Sequence, residues 1–213
     1  MEFPGDGAVA RPRLGRTPST THADLSHLAL RMFMERGFDA TTVDDIAREA
    51  GIGRRTFFRY FPSKNDVPWG DFDALLARMR AHLAALPDDL PLMEQLRRSI
   101  LEFNRFPESE WEYHRRRMDL LLHVPTLLAH STLRYASWRH VVAEHVARRL
   151  DLPVDDLIPQ TMAWICLGVC LAAYEQWLVD PDADLLDLLD EAIRLIDERI
   201  DSDVVRAHRS SHA

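Results

Sequence analysis

Apolar side chains recur at helical spacing along most of this chain. Leu25, Leu28, Ala29, Met32 and Phe33 fall on one face of a helix, following the i, i+3, i+4, i+7, i+8 template. Phe72, Leu75, Leu76, Met79, Leu83 and Leu86 repeat the pattern, as do Met93, Leu96, Ile100 and Phe103. Prolines at positions 62, 68, 87, 91, 107, 125, 153, 159 and 181 punctuate these segments. No stretch shows sustained β-type alternation bounded by turn signals, and no repeat of fixed period occurs. The pattern predicts an all-α chain. Residues 1–18 and 202–213 are polar or rich in Gly, Pro and Arg and are expected to be mobile tails.

Three short helices are predicted near the N-terminus. The first starts around Thr21, where Thr21 and Asp24 have capping-box spacing, and ends at Gly37 after Glu35 and Arg36. Thr42 caps a second over residues 43–50, with Val43, Ile46 and Ala47 on one face. Gly51 breaks it, and residues 54–60 form a third, rich in basic and aromatic side chains. A helix, a tight Gly-containing turn and a second short helix make the helix-turn-helix unit, whose second helix enters the major groove of DNA.

The C-terminal half has a different texture. Residues 154–179 are apolar nearly all round, carrying Trp164, Ile165, Leu167, Val169, Leu171 and Trp177, so that helix is expected to be buried on every side. In the last helix, residues 182–200, Leu185, Leu189, Ile193, Ile196 and Ile200 form one stripe with Leu188 and Leu195 beside it. Two such helices suit a two-fold four-helix dimer interface, and a wider monomer core would show the same pattern. The dimer is preferred, because a helix-turn-helix protein reading palindromic half-sites needs two-fold symmetry.

Charge and cysteine content change this picture little. The net charge of −8 argues against DNA only until it is divided. Residues 1–64 hold ten Lys or Arg against eight Asp or Glu, whereas residues 65–213 hold 16 against 26. Every basic residue except Lys64 is arginine, the side chain suited to bidentate base and phosphate contacts, although a GC-rich genome would produce the same bias. The apolar run over residues 162–173 is shorter than the ~20 residues that span a bilayer. No apolar leader follows the start, and two cysteines, Cys166 and Cys170, make no disulfide framework. A soluble, cytoplasmic protein is expected.

The stretch TTVDDIAREAGIGRRTFFRYFPSKNDV, residues 41–67, resembles the DNA-binding signature of TetR-family transcriptional regulators. The likeness lies in its length, the Thr-Thr start, the DDIA core, the turn glycine and the F-x-x-Lys ending at Phe61 and Lys64. With Phe33 and ERGF upstream it spans about residues 23–67. FFRYFPSKNDVPWGDFDALL and RRRMDLLLHVPTLLAHSTLRYASWR are also similar to TetR-type regulators associated with mycofactocin biosynthesis clusters. The resemblance implies a DNA-binding domain over residues 19–65 and a ligand-sensing and dimerisation domain over residues 66–201. It also implies a ligand-released repressor, in which a helix over about residues 63–86 tilts and carries the recognition helices. Two positions depart from the family pattern: Gly53 stands where Ser or Thr is usual, and Phe58 where Tyr is common.

Several residues carry the expected chemistry. Arg54 and Arg55 sit at a helix N-terminus, within reach of guanine edges or phosphates, and Arg59 lies one turn after Arg55. Thr56 can touch a phosphate or a thymine methyl, Tyr60 can bond a phosphate, and Thr42 caps its helix beside one. By resemblance, Lys64 grips the backbone. Arg11, Arg13 and Arg16 form either a minor-groove arm or a solubilising tail. The candidate ligand residues are Phe103, Phe106, Trp111, Arg117, Met118, Leu122, Trp138, Met162, Trp164 and Trp177, each of which could instead be plain core. Arginines over residues 114–117 could hold the phosphates of an amphipathic effector such as an acyl-CoA, or pair with Glu108, Glu110 and Glu112 on a solvated face.

Enzyme signatures are weak. His140 and His145 are spaced one residue too far for the inverted zinc-protease motif and fall ~140° apart on a helix. Gly51 and Gly53 lack the third glycine of a dinucleotide loop. Cys166 and Cys170 share a helical face with no third metal ligand in view. No cofactor and no membrane partner are expected. The rivals to a DNA-binding regulator are a helical small-molecule-binding protein and a small helical enzyme.

Overall fold

The structure is a computed structural model, and it describes residues 21–197. The arm arginines Arg11, Arg13 and Arg16, both predicted tails and Ile200 lie outside the described residues. No strand occurs among the described residues; the chain is all-α. Its first three helices are α1 (His22–Arg36), α2 (Val43–Glu49) and α3 (Arg54–Tyr60). A 3₁₀ segment, Lys64–Trp69, leads into α4 (Phe72–Ala85), α5 (Leu92–Phe103) and α6 (Glu108–His123). The longest helices, α7 (Pro125–Leu150) and α8 (Leu157–Val179), and the shorter α9 (Leu185–Asp197) complete it.

Local chemistry places the N-terminal boundaries. Thr21 Oγ1 accepts from the Asp24 backbone N–H at 3.1 Å while the Asp24 carboxylate accepts from the Thr21 N–H at 3.0 Å, closing the predicted capping box. Gly37, at φ 86°, ends α1 in a conformation that side chains with a Cβ rarely adopt. One hydrophobic cluster runs from Leu25 in α1 to Ile193 in α9, so the first three helices are seated on the bundle. α1 packs on α6 and on the 3₁₀ segment; α7 packs on α8, and α8 on α9.

Two expectations are corrected. The single helix over residues 63–86 is two elements. Pro68 lacks an N–H and disfavours α geometry at Val67, and Gly70 at φ 57° turns the chain before Asp71 caps α4. The apolar helix at the C-terminal end starts later, at Leu157, where Asp156 accepts from the Ile158 N–H at 3.1 Å. It is long and apolar enough by length and composition to cross a bilayer, although the longest uninterrupted apolar run is not. Within the chain it is buried on one side only: Leu157, Thr161, Trp164, Gly168, Ala172, Glu175 and Val179 form an exposed stripe.

Candidate nucleic-acid interface and effector cavity

The helix-turn-helix is held by short-range bonds and two buried rings. Thr42 Oγ1 accepts from the Asp45 N–H at 3.1 Å and donates to the Asp45 carboxylate at 2.6 Å, which also accepts from the Thr42 N–H. These bonds keep the Asp45 carboxyl below the ordinary carboxylate range. At the far end of α2, Gly51 (φ 64°) donates to Arg48 O and Ile52 donates to Ala47 O at 2.9 Å, turning the chain towards α3. Gly53 caps α3 without a side-chain bond, as its identity dictates. Phe57 and Phe61 are fully enclosed; α3 packs on α2, and the Phe61 ring just beyond it meets His22 of α1.

The opposite side of α3 is exposed and basic. Arg54, Arg55 and Arg59 stand in solvent, and Thr56 and Tyr60 are partly covered. Arg54 donates to both Asp44 carboxylate oxygens at 3.1 Å and lies over the exposed Phe58 ring. Such an exposed pair is worth about 0–1 kcal/mol, so a phosphate can displace it. Arg55 makes no ion pair among the described residues, and Arg59 lies over the Tyr60 ring.

Lys64 has a role that spacing did not show. Its ammonium donates to Phe38 O at 2.8 Å and Thr41 O at 3.0 Å, and it sits 4.2 Å from the Phe38 ring centre. It therefore ties the 3₁₀ segment to the α1–α2 loop, and burial lowers its pKa. In the same segment Asp66, nearly enclosed, accepts from Arg134 at 2.6 Å and Ser63 Oγ at 2.7 Å, and pairs with His130 at 3.0 Å. Burial opposes the Asp66 charge, but these bonds outweigh it and hold the carboxyl below its ordinary value. Ser26 of α1 donates to Val67 O at 3.1 Å. Six residues thus connect DNA-reading helices, α1 and α7.

The last of those six, Trp69, is also a wall of an apolar cavity of about 80 Å³ inside the bundle. Of the sequence candidates, Phe103, Phe106, Arg117, Met118 and Trp138 line it. Five do not. Trp111 is half-exposed and shares a smaller hollow with Trp177, whose ring lies under Arg115. Leu122 is one position past Leu121, the α6 residue that does face the cavity. Met162 and Trp164 precede the part of α8 that reaches it, which begins at Leu167, and Trp164 points outward beneath Arg139. The arginine run over residues 114–117 is split by helical phase: Arg116 pairs with Glu112 on the surface, Arg115 reaches Asp180 O, and His114 and Arg117 turn inward.

Missed polar wall residues are Asn104, Tyr135 and Tyr174. Tyr174 continues the Cys166, Cys170 stripe at i+4 spacing, a buried phase where a hydroxyl is conspicuous. Both thiols are buried, which pushes Cys166 up to about 12 and Cys170 higher still. His145 is committed to Gln95 and Arg148, and His140 pairs with Glu144.

Comparison with known proteins finds a family match in each half of the chain. The profile of bacterial regulatory proteins of the tetR family matches residues 25–67, and that of the MftR C-terminal domain matches residues 90–201. The chain is 46% identical over 189 residues to a Mycobacterium tuberculosis protein provisionally assigned as the mycofactocin biosynthesis transcriptional regulator MftR, covering 89% of this chain and 96% of that one. Among solved structures, the fatty acid degradation regulator FadR from Bacillus halodurans aligns with a TM-score of 0.62 at 16% identity, covering 82% of this chain and 97% of that one. SmeT, the repressor of the Stenotrophomonas maltophilia multidrug efflux pump SmeDEF, aligns at 0.54 with 18% identity over 82% and 87%. These two share the fold. Given an exposed arginine-bearing helix-turn-helix on a helical bundle and a match along nearly the whole sequence, the chain belongs to the TetR family of transcriptional regulators and carries an MftR-type C-terminal domain.

Proposed function

We propose that this regulator is a homodimeric repressor of a mycofactocin-related gene cluster, released from a palindromic operator when an apolar or amphipathic small molecule enters the bundle cavity. Residues 19–65 serve as the DNA-reading unit and residues 66–201 as the sensing and dimerisation unit. Arg54, Arg55, Thr56, Arg59 and Tyr60 meet the major groove and its phosphates, with Thr42 and Lys64 at the backbone. The exposed stripe of α8, with Leu188 and Leu195 of α9, supplies the apolar surface for the second subunit.

The single observation that carries the release mechanism is the 3₁₀ segment. Its Trp69 walls the cavity, its Asp66 is clamped to α7, and its Lys64 holds the loop between α1 and α2. The cavity, at about 80 Å³, is well below the several hundred Å³ of a typical small-molecule site, so an effector must push its walls apart. Displacing Trp69 moves Lys64 with it, changes the angle of both recognition helices, and mismatches the ~34 Å half-site repeat. A long-chain acyl-CoA is the candidate effector, with its chain in the cavity and Arg117 towards its polar end.

Fluorescence anisotropy on DNA from upstream of its own gene, at two salt concentrations, tests the reading. Tight binding that falls steeply with salt and is released by acyl-CoA supports it. Tight binding unaffected by any acyl-CoA removes that effector, and salt-insensitive or absent binding removes the operator role.

A further inference from the structure

One wall of the cavity carries a chain of hydrogen bonds whose protons can be assigned. Asn104, which ends α5, donates its amide N–H to Ile100 O at 2.8 Å, and that fixes which way its side chain faces. Its Oδ1 is thereby turned to Tyr174, whose O–H donates to it at 2.5 Å. The tyrosine has one proton and has spent it. The 2.9 Å contact between the Tyr174 oxygen and His114 Nε2 therefore has the imidazole as donor.

This chain forces the Nε2–H tautomer of His114 and leaves Nδ1 as a bare lone pair. His114 is 5% exposed, and Nδ1 is out of contact with solvent and has no hydrogen-bond partner. Burial and the nearby Arg117 charge push the ring down to about 3, so it is neutral at pH 7 and does not gain a proton to resolve the mismatch. One helical turn on, the Arg117 Nε–H is also enclosed without a partner. Both residues stand in the cavity wall with Trp69, whose indole N–H is likewise enclosed without a partner. Beside Asn104, Tyr135, Cys170 and Tyr174 the rest of the wall is aromatic and aliphatic, so His114 Nδ1 is the wall's one bare acceptor nitrogen. An occupant that supplied a donor would meet a group whose isolation costs about 1–3 kcal/mol.

We propose that His114 is a specificity-determining residue, and that the cavity selects an apolar molecule whose buried polar group is a hydrogen-bond donor, a hydroxyl or an amide N–H, received by His114 Nδ1. The oxygen of the same group faces the Arg117 side of the wall. An ether or a carboxylate placed there sets lone pair against lone pair at His114. The inference rests on the reading of this cavity as the effector site and adds the functional group that the site recognises.

Phenol and anisole test it, because they differ chiefly by a methyl that removes the donor. Calorimetry on the full-length protein is expected to show phenol binding about tenfold or more tightly than anisole. In the ¹⁵N spectrum of histidine-labelled protein, one unprotonated imidazole nitrogen is expected to shift on adding phenol and to stay in place with anisole. Tyr174→Phe, first shown by thermal melting to be folded, frees the tautomer, and the preference is expected to collapse. Equal binding of phenol and anisole, or an unmoved nitrogen resonance with phenol bound, overturns the donor requirement and leaves the cavity as the effector site. Failure of both probes to bind overturns the cavity reading and the inference with it.

Discussion

Arg54, Arg55 and Arg59 on α3 stand in solvent, whereas Arg117, His114 and Tyr174 on α6 and α8 are turned into the bundle. The exposed arginines keep their hydration and, apart from the weak Arg54–Asp44 pair, are available to a polyanion. The enclosed groups have lost water, and each bond they lack has a cost. A DNA-reading surface can thus be assembled from side chains that do little in the free protein. The cavity wall, by contrast, is held together within the protein itself, by the Asn104–Tyr174–His114 chain and the rings around it, as the proposed sensing role requires.

The largest test of this contrast removes an anchor from beneath the exposed surface. Phe57→Ala is expected to cost about 3–5 kcal/mol in chemical denaturation, because a fully enclosed ring is replaced by a cavity. A loss under 1 kcal/mol would show that α3 does not depend on that core. Asp66→Ala comes next, at about 3 kcal/mol, since it leaves Arg134 facing a buried gap and cuts the tie between α7 and the 3₁₀ segment. Because the folded-state pKa of Asp66 lies below its ordinary 3.8, its stabilisation is present above that value and is lost as the pH falls further. A wild-type unfolding midpoint that drops below pH 4, with a flatter profile in Asp66→Ala, is the expected result.

Substitutions at Arg55 and Lys64 are expected to act mainly on binding. Arg55→Ala should cost about 1–3 kcal/mol of operator affinity and relax sequence preference, measured against operator variants. Lys64→Ala should weaken all sequences alike and flatten the salt dependence, with a loss of about 1–2 kcal/mol in folding from its two carbonyl bonds. Equal losses of specificity from both would erase the division between base reading and backbone positioning. The smallest effect belongs to Gly53→Ser. The position has φ −78° and open space for a Cβ, and a serine hydroxyl there can cap α3 for a few tenths of a kcal/mol. A lowered melting temperature would count against the capping account.

How much could be read in advance differed between the same two regions. The boundaries of α1, α2 and α3 follow from capping boxes, turn glycines and a three-residue spacing, all of which act over a few neighbouring residues. The split at Pro68 and Gly70 was obscured because Phe72, Leu75 and Leu76 continue a helical period beyond it. Trp164 and Met162 were plausible lining residues by composition, yet helix position alone sends one outward and leaves the other short of the cavity. Asn104 and Tyr174 lie 70 residues apart, and no spacing rule pairs them.

The all-α class, the helix-turn-helix and its basic surface were determined by the sequence itself, because periodicity, caps and turns are local interactions written in adjacent residues. The tertiary structure alone decided which aromatic rings enclose the cavity, that Lys64 and Asp66 clamp one short segment to the α1–α2 loop and to α7, and that His114 is left with an unmet lone pair. Those outcomes depend on side chains far apart in the chain meeting at distances near 3 Å. Only packing sets such distances.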